Sequence, residues 1–443
     1  MLIEFSVRNF KTFKEKATLS LVASNYDKDT REQENISIDK KFNLRLLKSA
    51  VIYGANASGK SKFLEALMFM RSFANSSSKD SQKGDKINVV PFRLNSETEK
   101  EPSEFEVIFS KENEMYRYGF EVDSNEVISE WLYHKPKTKE IELFYRDYQD
   151  FEIHPKKFKK GNLAVKEGLI RNNSLLLSLA AQLNDEIAIK VIEWFKSLKT
   201  ISGLREEGYE GYTMHKTKNA EHRRKILDLL KAADLGIQDI KLQMLEPEKL
   251  PNDMPKELKE KILKEIQEDD AEFFSDILTF HKKYDDLNNV VETETFSMDK
   301  DESSGTKKFF ALTGPILDVL ENGYTLVVDE LDSKLHPNLV CKIVSLFNST
   351  DLNPRNAQLI FNTQDTNLLN SGLFRRDQIW FTEKNKFGEG KLFSLADFKS
   401  EDVRKNEAFE DNYIRGKYGA VPYLNLFENL IHKDLFVANE NEK

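Results

Sequence analysis

The sequence predicts an α/β protein with a mixed sheet, an antiparallel β subdomain at its N-terminus and an inserted helical lobe. Three observations support this fold class. A strand, a glycine-bearing loop and an amphipathic helix follow one another in LKSAVIYGANASGKSKFLEALMFMRSF (47–73). Short β-type runs such as EFEVIF and MYRYGFEV fill residues 104–153. Alternation of strands and helices resumes after residue 294.

The pattern along the chain predicts four regions. LIEFSVRNF alternates apolar and polar residues and is followed by ATLSLVAS, so a hairpin or sheet is expected at the start. Helical periodicity in 173–198 and 220–236 predicts a helical lobe. The charged segment 254–284 is either a solvated helix or hairpin arm, or a grip for a partner. The predicted regions are 1–164 (N-terminal lobe), 165–290 (helical insertion), 291–400 (C-terminal lobe) and 401–443 (tail).

Composition narrows the class of protein. The 443 residues carry a formal charge of −9, which argues against an overall basic nucleic-acid binder. Cys341 is the single cysteine, so neither a disulfide framework nor a cysteine-based zinc site can form within the chain. The first residues lack the apolar core of a signal peptide, and there is no apolar run of about 18 residues. We expect a soluble protein of the cytoplasm.

An eight-residue loop, GANASGKS (54–61), matches the G-x-x-x-x-G-K-S pattern of phosphate-binding loops. The two glycines allow the backbone to turn so that successive N–H groups point at phosphate oxygens. Lys60 supplies positive charge, Ser61 supplies a hydroxyl for Mg2+, and the following helix adds its dipole. An ordinary glycine turn would leave the Lys-Ser pair unexplained. The predicted phosphate contacts are Gly54, Asn56, Ala57, Ser58, Gly59, Lys60, Ser61 and Lys62.

A second motif, GYTLVVDELDSKLHP (323–337), is an apolar strand that ends in acidic residues. Asp329 is predicted to hold the magnesium shell and Glu330 to orient and polarise an attacking water molecule. A strand ending in an acidic turn is the plain alternative. Pairing with Lys60 favours the catalytic interpretation, and it implies ATP and Mg2+ as cofactors.

About 270 residues separate Lys60 from Asp329, more than a compact P-loop domain needs. A short Ser-Gly motif, DESSGTKKFFAL (301–312), precedes the acidic strand. Ser303, Ser304 and Gly305 are predicted to form a donor-rich turn that grips the γ-phosphate of a nucleotide held by another subunit. By itself SSGT would be a helix N-cap. Its position before the acidic strand favours the functional interpretation.

These motifs resemble the ABC-type ATPase heads of the SMC, RecF and double-strand-break repair families. The resemblance is nearest to the AbiL/RloA-type, ABC-like AAA-family ATPases of bacterial defence loci, to which the ATPase of the PARIS antiviral system is related. It covers nearly the whole chain. The P-loop and the acidic strand are generic, whereas three features narrow the match: the opening IEFSVRNFKTF, the ESSGT form and the tail YIRGKYGAVP (413–422).

The resemblance implies further roles. The N-terminal strands would pack near the nucleotide base, with Asn9 and Lys11 touching ribose or phosphate. Two heads would close head-to-tail over two ATP molecules, which makes the protein a homo-oligomer. Asp332 and Ser333 would then lie at the dimer seam.

One departure from the family pattern lies in IFNTQDTNLL (360–369), a strand that runs into a polar turn. Related ATPases commonly end this strand with a histidine that contacts the γ-phosphate, and here the matching residue is Gln364. Glutamine forms hydrogen bonds but carries neither a proton nor a charge, so slow hydrolysis is expected. Asp365 or Thr366 can still cap a helix there. The glutamine that senses magnesium in such heads has only a weak candidate, Gln182.

Other chemistry finds little support. The seven histidines lack metal-ligand spacing, and we expect His336 to buttress the seam. The DELD cluster is already used by the ATPase site, so no nuclease is predicted in this chain. Two basic patches, 154–162 and 215–225, are either solvated surface or contacts for nucleic acid or an acidic partner. The tail either closes the last strand or docks a partner.

The leading functional hypothesis is an ATPase of a bacterial anti-phage or abortive-infection system that controls a separate toxin or nuclease effector. This role is implied by the resemblance, whereas the residues themselves indicate ATP binding and dimer-type hydrolysis. A RecF/SMC-like DNA-repair clamp is the alternative. A transporter subunit is disfavoured by the ESSGT form and the N-terminal strands, and no membrane contact is expected.

Overall fold

The computed structural model describes residues 1–25, 29–205, 207–244, 274–399, 403 and 407–422. The strands are β1 (Leu2–Arg8), β2 (Ala17–Ser20), β3 (Ile36–Asp39), β4 (Leu44–Leu47), β5 (Ser49–Gly54), β6 (Ser103–Lys111), β7 (Glu114–Val122), β8 (Val127–Lys135), β9 (Ile141–Asp147), β10 (Asp150–Ile153), β11 (Leu198–Ser202), β12 (Ile237–Met244), β13 (Phe274–Tyr284), β14 (Val290–Ser297), β15 (Thr325–Asp329), β16 (Gln358–Asn362), β17 (Ile379–Lys384) and β18 (Gly390–Ser394).

The α-helices are α1 (Glu32–Asn35), α2 (Lys60–Asp80), α3 (Lys159–Lys166), α4 (Leu176–Gln182), α5 (Glu186–Ser197), α6 (Glu207–Lys216), α7 (Ala220–Ala232), α8 (Ser304–Asn322), α9 (Pro337–Asn348) and α10 (Phe409–Ile414). Short 3-10 helices span Thr98–Lys100, Thr366–Asn370, Arg376–Gln378 and Leu395–Asp397.

Alternating apolar residues at the N-terminus form the first strand of a seven-stranded antiparallel sheet, ordered β10-β9-β8-β7-β6-β1-β2. β1 pairs with β2 and β6, so the opening strand joins the first hairpin to the β-rich stretch 104–153. The predicted N-terminal antiparallel subdomain is therefore confirmed. A small β3–β4 hairpin and a three-stranded sheet, β12-β13-β14, complete the antiparallel elements.

A six-stranded sheet, ordered β11-β15-β16-β5-β17-β18, carries the candidate site. Its first five strands are mutually parallel, and only β18 runs against its neighbour. Parallel strands end at the same edge of a sheet. The ends of β5, β11, β15 and β16 therefore meet, although their residues lie as far apart in sequence as Gly54 and Asn362.

Both faces of this sheet are covered, as expected for parallel strands that are apolar throughout. On β5, Ala50 and Ile52 pack into one hydrophobic core, and Val51 and Tyr53 pack into the other. The first core lies between the two large sheets and includes residues of α2, α4 and α5. The second core includes residues of α8 and α9. The sheet is thus held rigidly from both sides.

Helix α8 contains a proline, Pro315, at an interior position. Proline has no N–H, so the carbonyl four residues earlier, at Ala311, loses its helical partner. The hydroxyl of Thr213, on α6, donates a hydrogen bond to Ala311 O at 2.6 Å and accepts one from the Gly314 N–H at 3.2 Å. α6 therefore repairs the break, and α8 continues as one helix to Asn322.

The structure corrects the description of residues 165–290 as a helical lobe. α4, α5, α6 and α7 are present, but β11 forms the edge of the central sheet, and β12 and β13 form an antiparallel pair. These strands are short and pair with segments that are distant in sequence, so periodicity within 165–290 did not reveal them. Residues 254–273 of the charged segment lie outside the described residues, and 274–284 form β13.

The polar stretch 75–88 is also more ordered than its composition indicates. Helix α2 continues to Asp80, and Ser77 is 1% exposed. The Ser77 hydroxyl accepts a hydrogen bond from the N–H of Leu175 at 3.2 Å. Tertiary contacts therefore extend the helix through a serine run that would favour a loop in isolation.

Candidate nucleotide-binding site

The loop 54–61 connects β5 to α2 at the edge of the central sheet where the parallel strands end. Ala57 adopts a left-handed backbone with φ 61°, and Gly59 has φ 120°. At Gly54, a Cβ atom would lie 2.3 Å from the carbonyl oxygen of Thr382, so a side chain cannot fit there. Asn56 and Ala57 are exposed, whereas Ser58 is buried and its hydroxyl lies 2.6 Å from that of Thr382.

Lys60 lies back over this loop. Its Nζ donates to the carbonyl oxygen of Gly54 at 2.6 Å and to that of Ala55 at 3.2 Å. Burial lowers the pKa of Lys60, while the carboxylates of Glu330, Asp332 and Asp329 act in the opposite direction. The lysine is 7% exposed. The ammonium group is thus held among oxygen atoms at the mouth of the loop, where phosphate oxygens are a stronger partner than neutral carbonyls.

Asp329 is brought to the P-loop by strand pairing. β15 lies beside β16, which lies beside β5, and all three run parallel to the same edge of the sheet. Asn362, the last residue of β16, donates from Nδ2 to Asp329 Oδ1 at 2.6 Å and to Ser61 Oγ at 3.4 Å. The two predicted magnesium ligands therefore lie within reach of one nitrogen atom.

Glu330 follows the end of β15 with a left-handed backbone, φ 58°, which is uncommon for a residue with a side chain. Its N–H donates to Asn362 Oδ1. Its carbonyl oxygen faces Gly203, where a Cβ atom would lie only 1.9 Å away. Buried Lys308 of α8 donates to Gly203 O at 2.7 Å and reaches Glu330 O at 3.4 Å. Neighbouring elements thus hold the backbone of Glu330 from both sides.

Gln364 lies just beyond the end of β16, and its side chain is exposed. Its N–H donates to Asp332 Oδ2 at 3.2 Å. This contact ties the loop after β15 to the polar turn after β16. Asp365 caps the 3-10 helix Thr366–Asn370, since its side chain accepts from the Asn367 N–H. The capping interpretation of this turn is therefore confirmed, and it leaves the Gln364 side chain open to a ligand.

The SSGT turn forms the start of α8. Ser303 is the N-cap, and its hydroxyl accepts from the Thr306 N–H at 3.1 Å. Ser303 and Ser304 are exposed. A Cβ at Gly305 would approach the carbonyl oxygen of Lys334 to 2.9 Å, so the turn packs closely on the loop after β15. The helix start is available at the surface, as the predicted contact with a second subunit requires.

Asn9 is 0% exposed, and its amide is bonded to the segment 92–102. Lys11 forms an ion pair with Glu65 of α2, and Lys62 donates to the same carboxylate at 2.6 Å. Burial alone would raise the pKa of Glu65, but its hydrogen bonds to the two lysines hold that pKa below its usual value. In this conformation Asn9 and both lysines bind protein groups, so their contact with a nucleotide stays a prediction.

The weak magnesium-sensing candidate is wrong. Gln182 lies on α4, and its amide donates to Ser78 Oγ at 2.8 Å. Ser78 lies near the opposite end of α2 from Lys60, and a helix rises about 1.5 Å per residue. Ser78, the partner of Gln182, is therefore separated from Lys60 by about five turns of α2. His336 caps α9 instead, with Nδ1 accepting from the Asn338 N–H at 3.2 Å.

The tail packs on the same edge of the central sheet. The ring of Tyr413 lies 5.8 Å from that of Tyr53 and 5.2 Å from that of Phe381. Glu410 accepts hydrogen bonds from Thr366 Oγ1 at 2.9 Å and Asn370 Nδ2 at 2.8 Å. The described part of the tail thus covers the turn that follows Gln364. Residues 423–443 lie outside the described residues, and docking of a partner stays a prediction.

Asn362 is the site residue that the sequence motifs did not single out. It is 0% exposed although it is the last residue of a strand and its side chain is polar. One signal was available: a polar residue at the end of a buried strand next to the acidic strand of a parallel sheet. Strand order was needed to use it, and the sequence does not give strand order.

The residues fit a nucleotide accompanied by Mg2+. A serine hydroxyl and a carboxylate supply the hard oxygen ligands that Mg2+ prefers. A glycine-bearing loop, a buried lysine and a helix N-terminus supply what phosphate groups need. Among the described residues, no cluster of three or more His, Cys, Asp or Glu side chains forms an additional metal site. Nor does any helix of that part of the chain combine the length and apolar composition needed to cross a bilayer.

The sequence matches the family described as "AAA domain, putative AbiEii toxin, Type IV TA system" over residues 49–370, more than half of its 443 residues. The chain therefore belongs to this family. The matched region includes the loop 54–61, the SSGT turn, the acidic strand and Gln364. No curated protein sequence matches at a significant level.

Solved structures with a similar fold include heads of SMC proteins. An SMC head domain from Thermotoga maritima aligns with a TM-score of 0.41 at 12% identity, covering 89% of this chain and 98% of that chain. An SMC head bound to the C-winged helix domain of ScpA gives 0.39 at 12% identity, with coverage of 89% and 97%. An Smc head with an extended coiled coil, from Pyrococcus furiosus, gives 0.36 at 12% identity, with 94% and 99%.

Proposed function

We propose that this member of the AAA-domain family binds ATP with Mg2+ and hydrolyses it, at sites completed when two copies assemble head-to-tail. One observation carries the proposal. Lys60, Asp329, Glu330 and Gln364 come from three segments of the chain, and the parallel sheet brings them to one edge. Ser61 and Asp329 would hold the Mg2+ ion, which would supply positive charge against the negative charge that develops during hydrolysis.

The residues divide the work of hydrolysis. Backbone N–H groups of the loop 54–61 and the Lys60 ammonium bind the phosphates. The Glu330 carboxylate orients the attacking water and accepts its proton. Ser303, Ser304 and Gly305 of the second copy donate hydrogen bonds to the γ-phosphate from the helix start.

Gln364 sets the expected rate. Its amide can donate a hydrogen bond to the γ-phosphate but cannot carry charge or a proton. Asp332 holds its backbone N–H, so the side chain projects from a fixed point. We therefore propose slow turnover, with ATP occupancy acting mainly as a clamp that holds the assembly.

The test is mass measurement with and without ATP, combined with phosphate release, for the wild type, Glu330→Gln and Lys60→Ala. Glu330→Gln keeps ATP binding because glutamine preserves the shape of the side chain. It should lower turnover by about 100- to 10,000-fold, since it lacks the base, and it should stabilise the ATP-bound assembly. Lys60→Ala should not assemble with ATP. Wild-type turnover in Glu330→Gln would refute the catalytic role.

The biological role proposed is that of an ATPase in a bacterial anti-phage or abortive-infection system, acting in the cytoplasm on a separate toxin or nuclease effector. The family description, with its AbiEii toxin and toxin–antitoxin context, supports this role. The test is phage challenge of cells that carry the chain with its genomic neighbours. Protection should be lost in Lys60→Ala. If Lys60→Ala protects cells as well as the wild type does, defence does not depend on ATP binding.

A DNA-repair clamp of the RecF/SMC type is the second candidate, and one patch favours it. Lys156, Lys157, Lys159 and Lys160 are exposed, and no ion pair involving them is found in the described part of the chain. In the other patch, Lys216 pairs with Asp318 at 3.3 Å and Arg223 with Asp239 at 2.7 Å. Salt-dependent DNA binding that falls on changing the four lysines to glutamate, together with DNA-stimulated ATPase activity, would favour the clamp.

A further inference from the structure

Asn362 is a buried polar residue whose side chain is aimed entirely at the candidate site. Nδ2 donates to Asp329 Oδ1 at 2.6 Å and to Ser61 Oγ at 3.4 Å. Oδ1 accepts from the N–H of Glu330. One neutral amide therefore contacts a carboxylate, a hydroxyl and the backbone of the candidate base, and the side chain is 0% exposed.

The amide suits these three neighbours better than any other side chain of its size. Its NH2 group faces two oxygen atoms, where the oxygen of an aspartate would meet a like charge on Asp329. Its carbonyl oxygen faces an N–H donor. That N–H belongs to Glu330, whose left-handed backbone at φ 58° requires support from its surroundings. The amide satisfies all three groups when no cation is bound.

We propose that Asn362 is a positioning residue that holds Ser61 and Asp329 ready to receive Mg2+ and fixes the backbone of Glu330. The inference rests on the proposed function in so far as it concerns a magnesium-bound nucleotide. Asn362 does not touch the reacting atoms; it acts through the residues that do. Removing its side chain should therefore weaken the response to Mg2+ rather than the grip on the phosphates, which belongs to the loop 54–61.

The neighbouring residue offers a matched control. Thr363 is also buried, at 1% exposed, but its hydroxyl accepts from the Asp365 N–H at 3.0 Å and so stabilises the following turn. Thr363→Val removes the buried hydroxyl next to Asn362 with little change in side-chain size. It leaves the contacts of Ser61 and Asp329 in place.

The first experiment measures the affinity for fluorescently labelled ATP in Mg2+ and in EDTA. In the wild type, Mg2+ should raise the affinity. In Asn362→Ala that increment should shrink about tenfold, with a change of less than about twofold in EDTA, because the phosphate contacts remain. Thr363→Val should retain the wild-type increment. An unchanged increment in Asn362→Ala, or an equal loss in both media, would overturn the inference.

The second experiment uses Asn362→Asp and needs no nucleotide, so it also carries the test if Asn362→Ala does not fold. The added carboxylate faces Asp329, which should lower the Tm in EDTA. Adding Mg2+ alone should raise the Tm of this variant by about 2 °C or more, and by less in the wild type. If the variant shows neither a lower Tm in EDTA nor a response to Mg2+, the side chain of residue 362 does not face the predicted magnesium ligand Asp329, and that outcome would refute the proposal.

The two proposals fail separately. Neither measurement depends on hydrolysis, so an inactive wild type with the expected Mg2+ responses would remove the ATPase proposal alone. Conversely, if Glu330→Gln lowers turnover as predicted but the Asn362 variants do not change the response to Mg2+, only the positioning role is refuted.

Discussion

Two polar clusters inside this molecule show how buried polar residues differ when they serve structure or a ligand. In the first sheet, the buried carboxylate cluster consists of Glu130, Arg146 and Tyr118. Glu130 accepts hydrogen bonds from the N–H groups of Leu176 and Leu177 at 2.7 and 3.0 Å, and from Tyr118 OH at 3.0 Å. Both charged side chains are 0% exposed.

The nucleotide cluster of Lys60, Ser61, Asp329 and Asn362 is built differently. Its lysine rests on two neutral carbonyl oxygens, and its carboxylate is met by a neutral amide. In the buried carboxylate cluster, charge is paired with Arg146 at 3.8 Å and with the start of α4. A charged side chain that is paired with an opposite charge and with helix-start N–H groups keeps those partners. Neutral partners, such as carbonyl oxygens or an amide, can be displaced by phosphate and a cation. This difference supports the proposal that the nucleotide cluster, and not the buried carboxylate cluster, receives a ligand.

The largest effect on stability is expected when the buried carboxylate cluster is broken. Glu130→Ala leaves Arg146 buried without its carboxylate and removes the acceptor at the start of α4. We expect a loss of about 3–5 kcal/mol in the free energy of unfolding, measured by urea denaturation. Glu140→Ala, which removes a half-exposed partner of Arg117, should cost less than about 1 kcal/mol. Equal losses in the free energy of unfolding of the two variants would show that the buried carboxylate cluster contributes no more to stability than an exposed ion pair.

Breaking the nucleotide cluster should instead weaken ATP binding and leave stability nearly unchanged. Lys60→Ala is expected to weaken ATP binding about 100-fold, the loss of about two charge-assisted hydrogen bonds, with little change in the urea midpoint. The measurement is titration with labelled ATP. Lys79→Ala, at the other end of α2, is the control and should bind as the wild type does. A large stability loss in Lys60→Ala would contradict the distinction between the clusters.

A steric change can sharpen the comparison at Glu330. In Gly203→Ala the new Cβ displaces the carbonyl oxygen of Glu330, since the two would lie 1.9 Å apart. We expect turnover to fall about 10- to 100-fold with ATP affinity retained, as for a misplacement of about 1 Å. At Gly208 a Cβ meets nothing within 4 Å, so Gly208→Ala is the matched control. Identical turnover in the two variants would remove the support assigned to Gly203.

The smallest effect concerns the exposed residue beside the cluster. Gln364→His introduces a group that can carry charge near the γ-phosphate, so turnover should rise about three- to tenfold with ATP binding unchanged. Phosphate release under saturating ATP measures it. A fall in turnover would mean that Gln364 is itself the productive residue.

Much of this site could be predicted because its motifs are local. The loop 54–61, the acidic strand and the cap at Asp365 each depend on residues close in sequence, and the structure shows the expected strand, loop and helix at each. Gln182 failed as a candidate because its type fitted but its position did not: α4 lies at the far end of α2. Asn9 was placed near the ligand by analogy; its buried amide bonds to the segment 92–102, and its contact with a nucleotide stays a prediction.

The sequence by itself determined the strands beside the two motifs (β5, β15 and β16), the loop 54–61 and the helix start at Ser303, because periodicity and capping act over a few residues. Tertiary structure decided what those segments meet. It placed β11 beside β15, so that Gly203 lies against Glu330. It also placed the end of β16 between β5 and β15, so that Asn362 joins Ser61 to Asp329. Strand order fixes such contacts, and strand order depends on packing of distant segments that no local pattern records.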